Sequence, residues 1–387
     1  MLHPAPGGYK AEGASLLVLG GFPCILKGGW GVTYHAAKTG GRRPRSPILT
    51  TPVGAYMIPP AVRFIKRVIE GDSLPVYVIF SNPLVVISYF EDFLSHREAI
   101  LSALEGCKPY LIFQFGWHRE TAERVEEVRR EAQETLRLRP EAELIFLCNS
   151  EHETHLISAA GLRAEFCHQN AFLDETRYRT YPGTPKYDAI YIARITPFKR
   201  HHLAAKVSSL RLIGDHSAPE SDYFAQVMGQ LAHASWKRKV FSSSVSKAIC
   251  EARCGLCLSA EEGAMFVSAE YLLSGRPVVS TASLGGRDAL FGPAYTCRVE
   301  DTPESVLAGV EAMKRCPVSP AEIRARTIEK FRPHRQRMID ILQDICDRAG
   351  ARRDVAREWS SYFTHKFGLR CFNGPRVRLT RILKRKK

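Results

Sequence analysis

Ser259-Ala-Glu-Glu-Gly-Ala-Met-Phe-Val-Ser-Ala-Glu-Tyr-Leu-Leu-Ser-Gly-Arg-Pro-Val-Val279 decides the fold. The apolar run Gly255–Leu258 before it reads as a buried strand, and the loop that follows carries Glu261, Glu262 and Gly263. A helix is expected from near Ala264 to Ser274, with Gly275 as its stop and Pro277 opening the next strand. Free backbone N–H groups at the start of such a helix form a site for a diphosphate, and Gly263 would let the phosphate approach closely. Glu262 and Glu270 are separated by seven residues, roughly 12 Å along a helix axis. They offer hydroxyl acceptors at two points of one ligand. Acids favoured by the helix dipole, with Glu270 on a solvated face, would account for the same spacing. Alone, the spacing is weak.

Working outward, short apolar strands alternate with amphipathic helices. In the first half the strands are Leu16–Leu19, Val76–Phe80, Tyr110–Phe113 and Glu143–Cys148, with a long exposed helix over Glu120–Leu138. In the second half they are Ala189–Ile192, Leu210–Ile213, Gly255–Leu258 and Pro277–Ser280. This rhythm predicts parallel sheets covered by helices on both faces. The polar stretch from Tyr178 to Pro185 is the candidate linker, dividing the chain near its middle. Two doubly wound lobes facing a cleft follow, with ligands at the carboxyl ends of the strands. The expected division is residues 1–178, 179–335, and 336–387 for a crossing helix and basic tail. The last helices, 320–349 (broken near Pro333) and 355–367, are long enough to cross back over the first lobe.

Composition bounds the function. The chain has 387 residues, 45% hydrophobic and 25% charged, a globular balance. No stretch approaches the roughly 18 to 20 apolar residues of a membrane-spanning helix. The N-terminus lacks the basic-then-apolar order of a secretory signal, so cytoplasmic residence is the default expectation. The 11 cysteines are odd in number and scattered, which suits reduced thiols. Cys254-x-x-Cys257 has ligand spacing, but no second pair follows, and core packing explains these thiols better than a metal does. From residue 351 onward, twelve Lys/Arg face two acids, so the tail holds +10 of the net +15. Such a tail suits an anionic lipid surface or plain solvation. No nucleic-acid-binding module accompanies it.

Tyr191-Ile-Ala-Arg-Ile-Thr-Pro-Phe-Lys-Arg200 places Arg194 after a strand and Lys199 five residues later. Two cations flanking a strand end can stabilise a departing diphosphate, a task a metal would otherwise perform. Surface salt bridges would explain either residue separately. Taken with Glu262-Gly263, Glu270 and Gly275-Arg-Pro-Val-Val279, the series resembles the second lobe of retaining GT-B glycosyltransferases of family 4. Leu284-Gly-Gly-Arg-Asp288 resembles the gly-gly turn of that family, with Asp in place of the usual Glu. Cys167–Asp174 resembles the asparagine-containing segment before its interlobe linker. The resemblance covers about residues 165–310 well and the first lobe loosely.

What the resemblance implies is a hexosyl-type transferase of the GT-B fold, using a UDP- or GDP-sugar donor with no metal or cofactor. Arg194 and Lys199 would bind the diphosphate, Glu262 the transferred sugar and Glu270 the ribose. Gly263, Ala264 and Met265 would line the donor. Ala264-Met265 departs from the usual aromatic-glycine pair, and Tyr271 stands where Ala is common. In the first lobe, Gly28 and Gly29 of Lys27-Gly-Gly-Trp-Gly-Val32 resemble the gly-gly loop after the first strand, although an ordinary turn would use the same glycines. His118 matches a histidine that contacts the donor sugar, and a helix-start histidine reads the same way. A glycan or lipid-linked acceptor, at the inner face of a membrane, is the lean given by the basic tail. The rivals are an epimerase-like enzyme acting on the nucleotide sugar alone and a non-catalytic GT-B partner protein.

Overall fold

The computed structural model describes Val18–Leu19, Phe22–Pro23 and residues 74–369. Residues 1–56 and 57–387 form two separate compact units. In the first, β1 (Val18–Leu19) pairs antiparallel with β2 (Phe22–Pro23). Gly28, Gly29 and the basic tail beyond Leu369 lie outside the described residues.

The second unit holds two sheets. β3 (Val76–Ser81), β4 (Leu84–Tyr89), β5 (Pro109–Gln114), β6 (Glu143–Cys148) and β7 (Ala164–Phe166) line up in chain order. β3 and β4 form an antiparallel hairpin, whereas the other neighbours are parallel. The hairpin corrects the expectation of parallel strands throughout, and β4 was missed beside its partner. Its sequence, Leu-Val-Val-Ile-Ser-Tyr, is buried at every position, so it carries no alternation to reveal a strand. Val85, Ile87 and Tyr89 face one core, while Leu84 and Val86 face another.

Helices cover both faces of this sheet. α1 (Phe90–Ser95), α2 (Arg97–Ala103), α3 (Ala122–Leu138) and α4 (Glu151–Ala159) supply Phe90, Phe93, Ile100, Val128 and Ile157 to one side. The opposite side is covered from the far end of the chain, as described below.

β8 (Tyr187–Ile192), β9 (Leu210–Ile213), β10 (Ser235–Lys237), β11 (Ala252–Cys257), β12 (Val278–Ser280) and β13 (Thr296–Arg298) make the second sheet. Its order is β10-β9-β8-β11-β12-β13, with every pairing parallel. Strand order therefore reverses between β8 and β11, the switch point at which doubly wound sheets bind ligands. α5 (Ser221–Gln230), α6 (Ser242–Cys250), α7 (Phe266–Leu273) and α8 (Pro303–Met313) pack with it.

Tyr271 of α7 joins the two central strands of this sheet. Its ring lies over Gly255 of β11, where an added Cβ would come within 2.3 Å of the ring. Its hydroxyl accepts from the Ile192 N–H at 2.8 Å. The large side chain thus fills the space the glycine leaves and joins both strands of the switch point.

Residues 179–186 form an exposed or half-buried connection without helix or strand before β8. α9 (Pro320–Arg348) then runs unbroken through Pro333, which corrects the expected break. Phe331 before the proline and His334 and Met338 after it are all buried, so packing holds both halves in line. Met338, Ile341, Leu342 and Ile345 of α9, with Val355 and Tyr362 of α10 (Val355–Tyr362), pack on the first sheet. The crossing back is as expected. α10 ends at Tyr362, short of the expected 367, and a 3-10 turn over His365–Gly368 follows.

Candidate functional site

The carboxyl ends of β8 and β11 bring Lys199 and Glu262 together. Lys199 closes a short 3-10 turn, Pro197–Lys199, whose carbonyl accepts from the Tyr191 hydroxyl at 2.5 Å. Its ammonium forms an ion pair with Glu262 Oε1, and the two side chains are only 12% and 8% exposed. The same carboxylate oxygen accepts from the Ser259 hydroxyl at 2.7 Å. The ammonium also lies 5.0 Å from the centre of the Phe198 ring. Lys199 is therefore held between a carboxylate and an aromatic face at the switch point.

Arg194, also after β8, is exposed. It makes no ion pair or hydrogen bond among the described residues, and its charge helps hold the Glu220 carboxyl below its usual value. The structure thus brings Lys199 to Glu262 but leaves Arg194 facing solvent.

Gly263 lies against the loop after β5. A Cβ there would sit 3.0 Å from the Gly116 carbonyl oxygen, so the small residue admits the backbone of the first lobe. Ala264 and Met265 follow, both buried. Their carbonyls accept from Asn170 Nδ2 at 2.7 and 3.4 Å, which ties the asparagine segment to the start of α7. Met265 caps α7 in the left-handed region, with φ 46°, a conformation uncommon outside glycine. Glu270, one turn into α7, accepts from the Tyr178 hydroxyl at 2.9 Å.

His118 and Glu261 meet across the seam. The histidine, on the loop after β5, is 1% exposed, and its Nε2 lies 3.2 Å from Glu261 Oε2. Arg124 donates to the same oxygen at 3.2 Å and lies against the imidazole ring. Burial and the Arg124 charge push the histidine below its usual value, against the pull of Glu261. Trp117 packs edge-on against Phe198 at 5.2 Å, and Glu120 accepts from the Gly285 N–H at 2.8 Å.

Sequence reasoning missed several residues that shape this site. Arg287, fully buried, donates to the carbonyls of Ser259 and Thr281 and pairs with Asp288 at 2.7 Å. Arg200, with φ 51°, donates to the Leu258 carbonyl at 2.6 Å and to Thr281 Oγ1 at 2.8 Å. Both sew the loops after β8, β11 and β12 together. A lone arginine beside a polar turn carries no spacing signal, although Arg287 lies in the gly-gly turn already singled out. The Cys250, Cys254 and Cys257 thiols are buried, and burial pushes Cys257 up to about 12. Cys254 and Cys250 donate to backbone carbonyls.

Solved structures supply the comparison. Anabaena HepE in complex with UDP and glucose matches with a TM-score of 0.53 at 14% identity, over 73% of this chain and 80% of that one. The UDP complex of the same protein gives 0.51 at 15% identity, over 67% and 78%. With the doubly wound second sheet, a first sheet whose described strands follow chain order, and the crossing helices, this settles the architecture. The fold is GT-B. No protein-family model and no curated protein matches the sequence. At these identities the likeness establishes the GT-B fold and leaves the chemistry to the residues. Among the described residues, no helix is long and apolar enough to cross a membrane.

Proposed function

We propose that the chain is a glycosyltransferase of the family 4 type, moving a sugar from a nucleotide-diphosphate sugar to a glycan or lipid-linked glycan with retention and without a metal. The observation that carries this reading is the Lys199–Glu262 pair at the carboxyl ends of β8 and β11, with Arg194 exposed on the same loop. A diphosphate arriving there would take Lys199 as its counterion and free Glu262 to accept from a sugar hydroxyl. Arg194 would close on the phosphate from the solvent side. Glu270 would accept from the ribose.

In the reaction the bond between the anomeric carbon and the phosphate oxygen breaks, and its electron pair leaves with the nucleoside diphosphate. Lys199 and Arg194 stabilise that charge. The acceptor hydroxyl bonds to the same face of the anomeric carbon, and its proton passes to a departing phosphate oxygen. The seam built by Trp117, Phe198, His118 and Glu261 would keep water from the donor. Within this reading, residues 1–178 form the acceptor side, 179–335 the donor side, and 336–387 the crossing helix and tail. The tail is assigned to an anionic membrane surface on the cytoplasmic side. Equal binding to phosphatidylserine vesicles by the full chain and by residues 1–369 would remove the tail from this reading.

UDP is the first donor nucleotide to test, because the HepE structures hold it. Thermal unfolding should be followed with UDP, GDP, ADP, CMP and TDP and their common sugars, with and without chelator. A ligand at a hundred times its dissociation constant adds about 2.7 kcal/mol of stability. A shift with one nucleotide, unchanged by chelator, is the expected result. No shift with any of them would move the reading to a non-catalytic partner protein.

A further inference from the structure

The turn after α10 ends on an unusual backbone. Lys366, Phe367 and Gly368 all have positive φ, at 55°, 47° and 69°. Two successive non-glycine residues in the left-handed region are disfavoured by contact between Cβ and the backbone. They persist only where surrounding contacts fix them. Phe367 is fully buried against Phe172, with ring centres 4.6 Å apart, and sits in the core over the first sheet. His365 Nδ1 accepts from the Asp174 N–H at 3.0 Å. Anchored on both sides, the turn sends Lys366 towards α7.

There its ammonium lies 3.9 Å from the centre of the Phe266 ring and 3.7 Å from Glu270 Oε1. Phe266 and Glu270 are four residues apart and share one face of α7. Lys366 lies along that face, only 14% exposed, from the first residue of the helix to the carboxylate. The Tyr178 hydroxyl reaches the same Oε1 from the connection between the lobes. The carboxylate is thus gripped by two groups from outside its own helix.

We propose that Lys366 is a positioning residue of the donor site, holding the Glu270 carboxylate in place to accept from the ribose hydroxyls of the nucleotide. The inference rests on the donor-site reading above and extends it to the far end of the chain. The strained turn and the grip on Glu270 make one device. Packing on the first sheet fixes the turn, and the turn fixes the carboxylate. Because the segment returns from the first lobe, the geometry of ribose recognition depends on how the crossing helices seat there. Both contacts fall on Oε1, and Oε2 of Glu270 takes no hydrogen bond or ion pair among the described residues.

The test is a comparison of UDP with 2′-deoxy-UDP by calorimetry on the full chain. The variants are Glu270→Gln, Lys366→Met and Lys366→Arg. Methionine keeps an unbranched apolar stem over Phe266, whereas arginine keeps the charge. The parent should bind UDP at least about tenfold more tightly than the deoxy compound, a difference of about 1.4 kcal/mol. Lys366→Met should cut that ratio at least about threefold, towards the value for Glu270→Gln, and Lys366→Arg should restore most of it. An equal loss for both nucleotides in Lys366→Met, with the ratio kept, would show a structural role only and overturn the proposal. An unchanged ratio with unchanged affinities would overturn it as well, while leaving the donor site intact. If the parent binds UDP but does not discriminate, the ribose role of Glu270 falls. If the parent binds neither uridine nucleotide, the same comparison is run with the nucleotide that shifts its unfolding and that nucleotide's 2′-deoxy form. Failure of all five nucleotides to bind would sink the donor-site reading itself.

Discussion

Two buried carboxylates follow inner strands of the two sheets, Glu262 on the loop after β11 and Glu153 in the first turn of α4 after β6, and they are held differently. Glu262, after β11, is paired with Lys199 and takes the Ser259 hydroxyl. Among the described residues, Glu153, after β6, has only two donors, the backbone N–H groups of Arg119 and Asn149, each at 2.7 Å. With no cation in contact, burial dominates and pushes the Glu153 carboxyl up to about 7. Glu153 sits at the third position of α4, behind the capping hydroxyl of Ser150, and fastens the loop after β5 to the loop after β6. The first arrangement keeps a charge pair that an arriving ligand can open. The second is a splice between loops, with nothing for a ligand to displace.

The largest effect should come from breaking the pair at the switch point. Removing one member leaves a charge in a site that is about nine-tenths closed to water, which costs about 3–5 kcal/mol of stability. Lys199→Ala and Glu262→Ala should each unfold at lower denaturant concentration, whereas the double variant carrying both should cost less than the sum of the two. Sugar transfer should fall at least roughly tenfold in each single variant, about 1.4 kcal/mol of barrier. Strict additivity of stability in the double variant would mean that the two side chains do not act as a pair. Near-normal transfer in both single variants would end their assignment to the donor site, and the comparison with Glu153 would lose its functional half.

The second sheet was legible and the first was less so, for a physical reason. In the second, a loop acid, a glycine and a proline-led strand recur at spacings set by one strand–helix–strand unit, so Glu262 and Lys199 could be placed before their contact was seen. The helix begins two residues later than Ala264, because Met265 takes the left-handed cap. In the first sheet, β4 is buried on both faces and shows no period. Glu153 had a signal that went unread: Ser150-x-x-Glu153 is a capping pattern. Its side chain departs from the standard box by reaching Asn149 and Arg119 instead of the cap residue. No local pattern could announce Lys366, because its partner Glu270 lies 96 positions earlier and meets it only through the returning helices. No local pattern announced that the Gly116 carbonyl lies close to Gly263, because the two meet only between elements far apart in the chain.

A smaller effect separates the two carboxylates through pH. An unfolded glutamate loses its proton near pH 4.5, whereas folded Glu153 holds its proton to about 7. Between those values the folded state binds more protons than the unfolded one, so stability falls as pH rises and levels off above about 7. Across that window the parent should lose on the order of 3 kcal/mol relative to Glu153→Gln, which cannot titrate there. The amide will cost stability at every pH, since only one of its polar atoms can accept from the two N–H groups. That cost is a constant offset and leaves the slope untouched. Urea unfolding of both proteins from pH 4.5 to 8 therefore gives a difference whose slope reports Glu153 alone. A flat difference would mean that the two N–H groups offset burial and keep the carboxylate ionised. Glu153 would then be a carboxylate held ionised by backbone dipoles alone, and its contrast with Glu262 would be one of ligand access, not of charge.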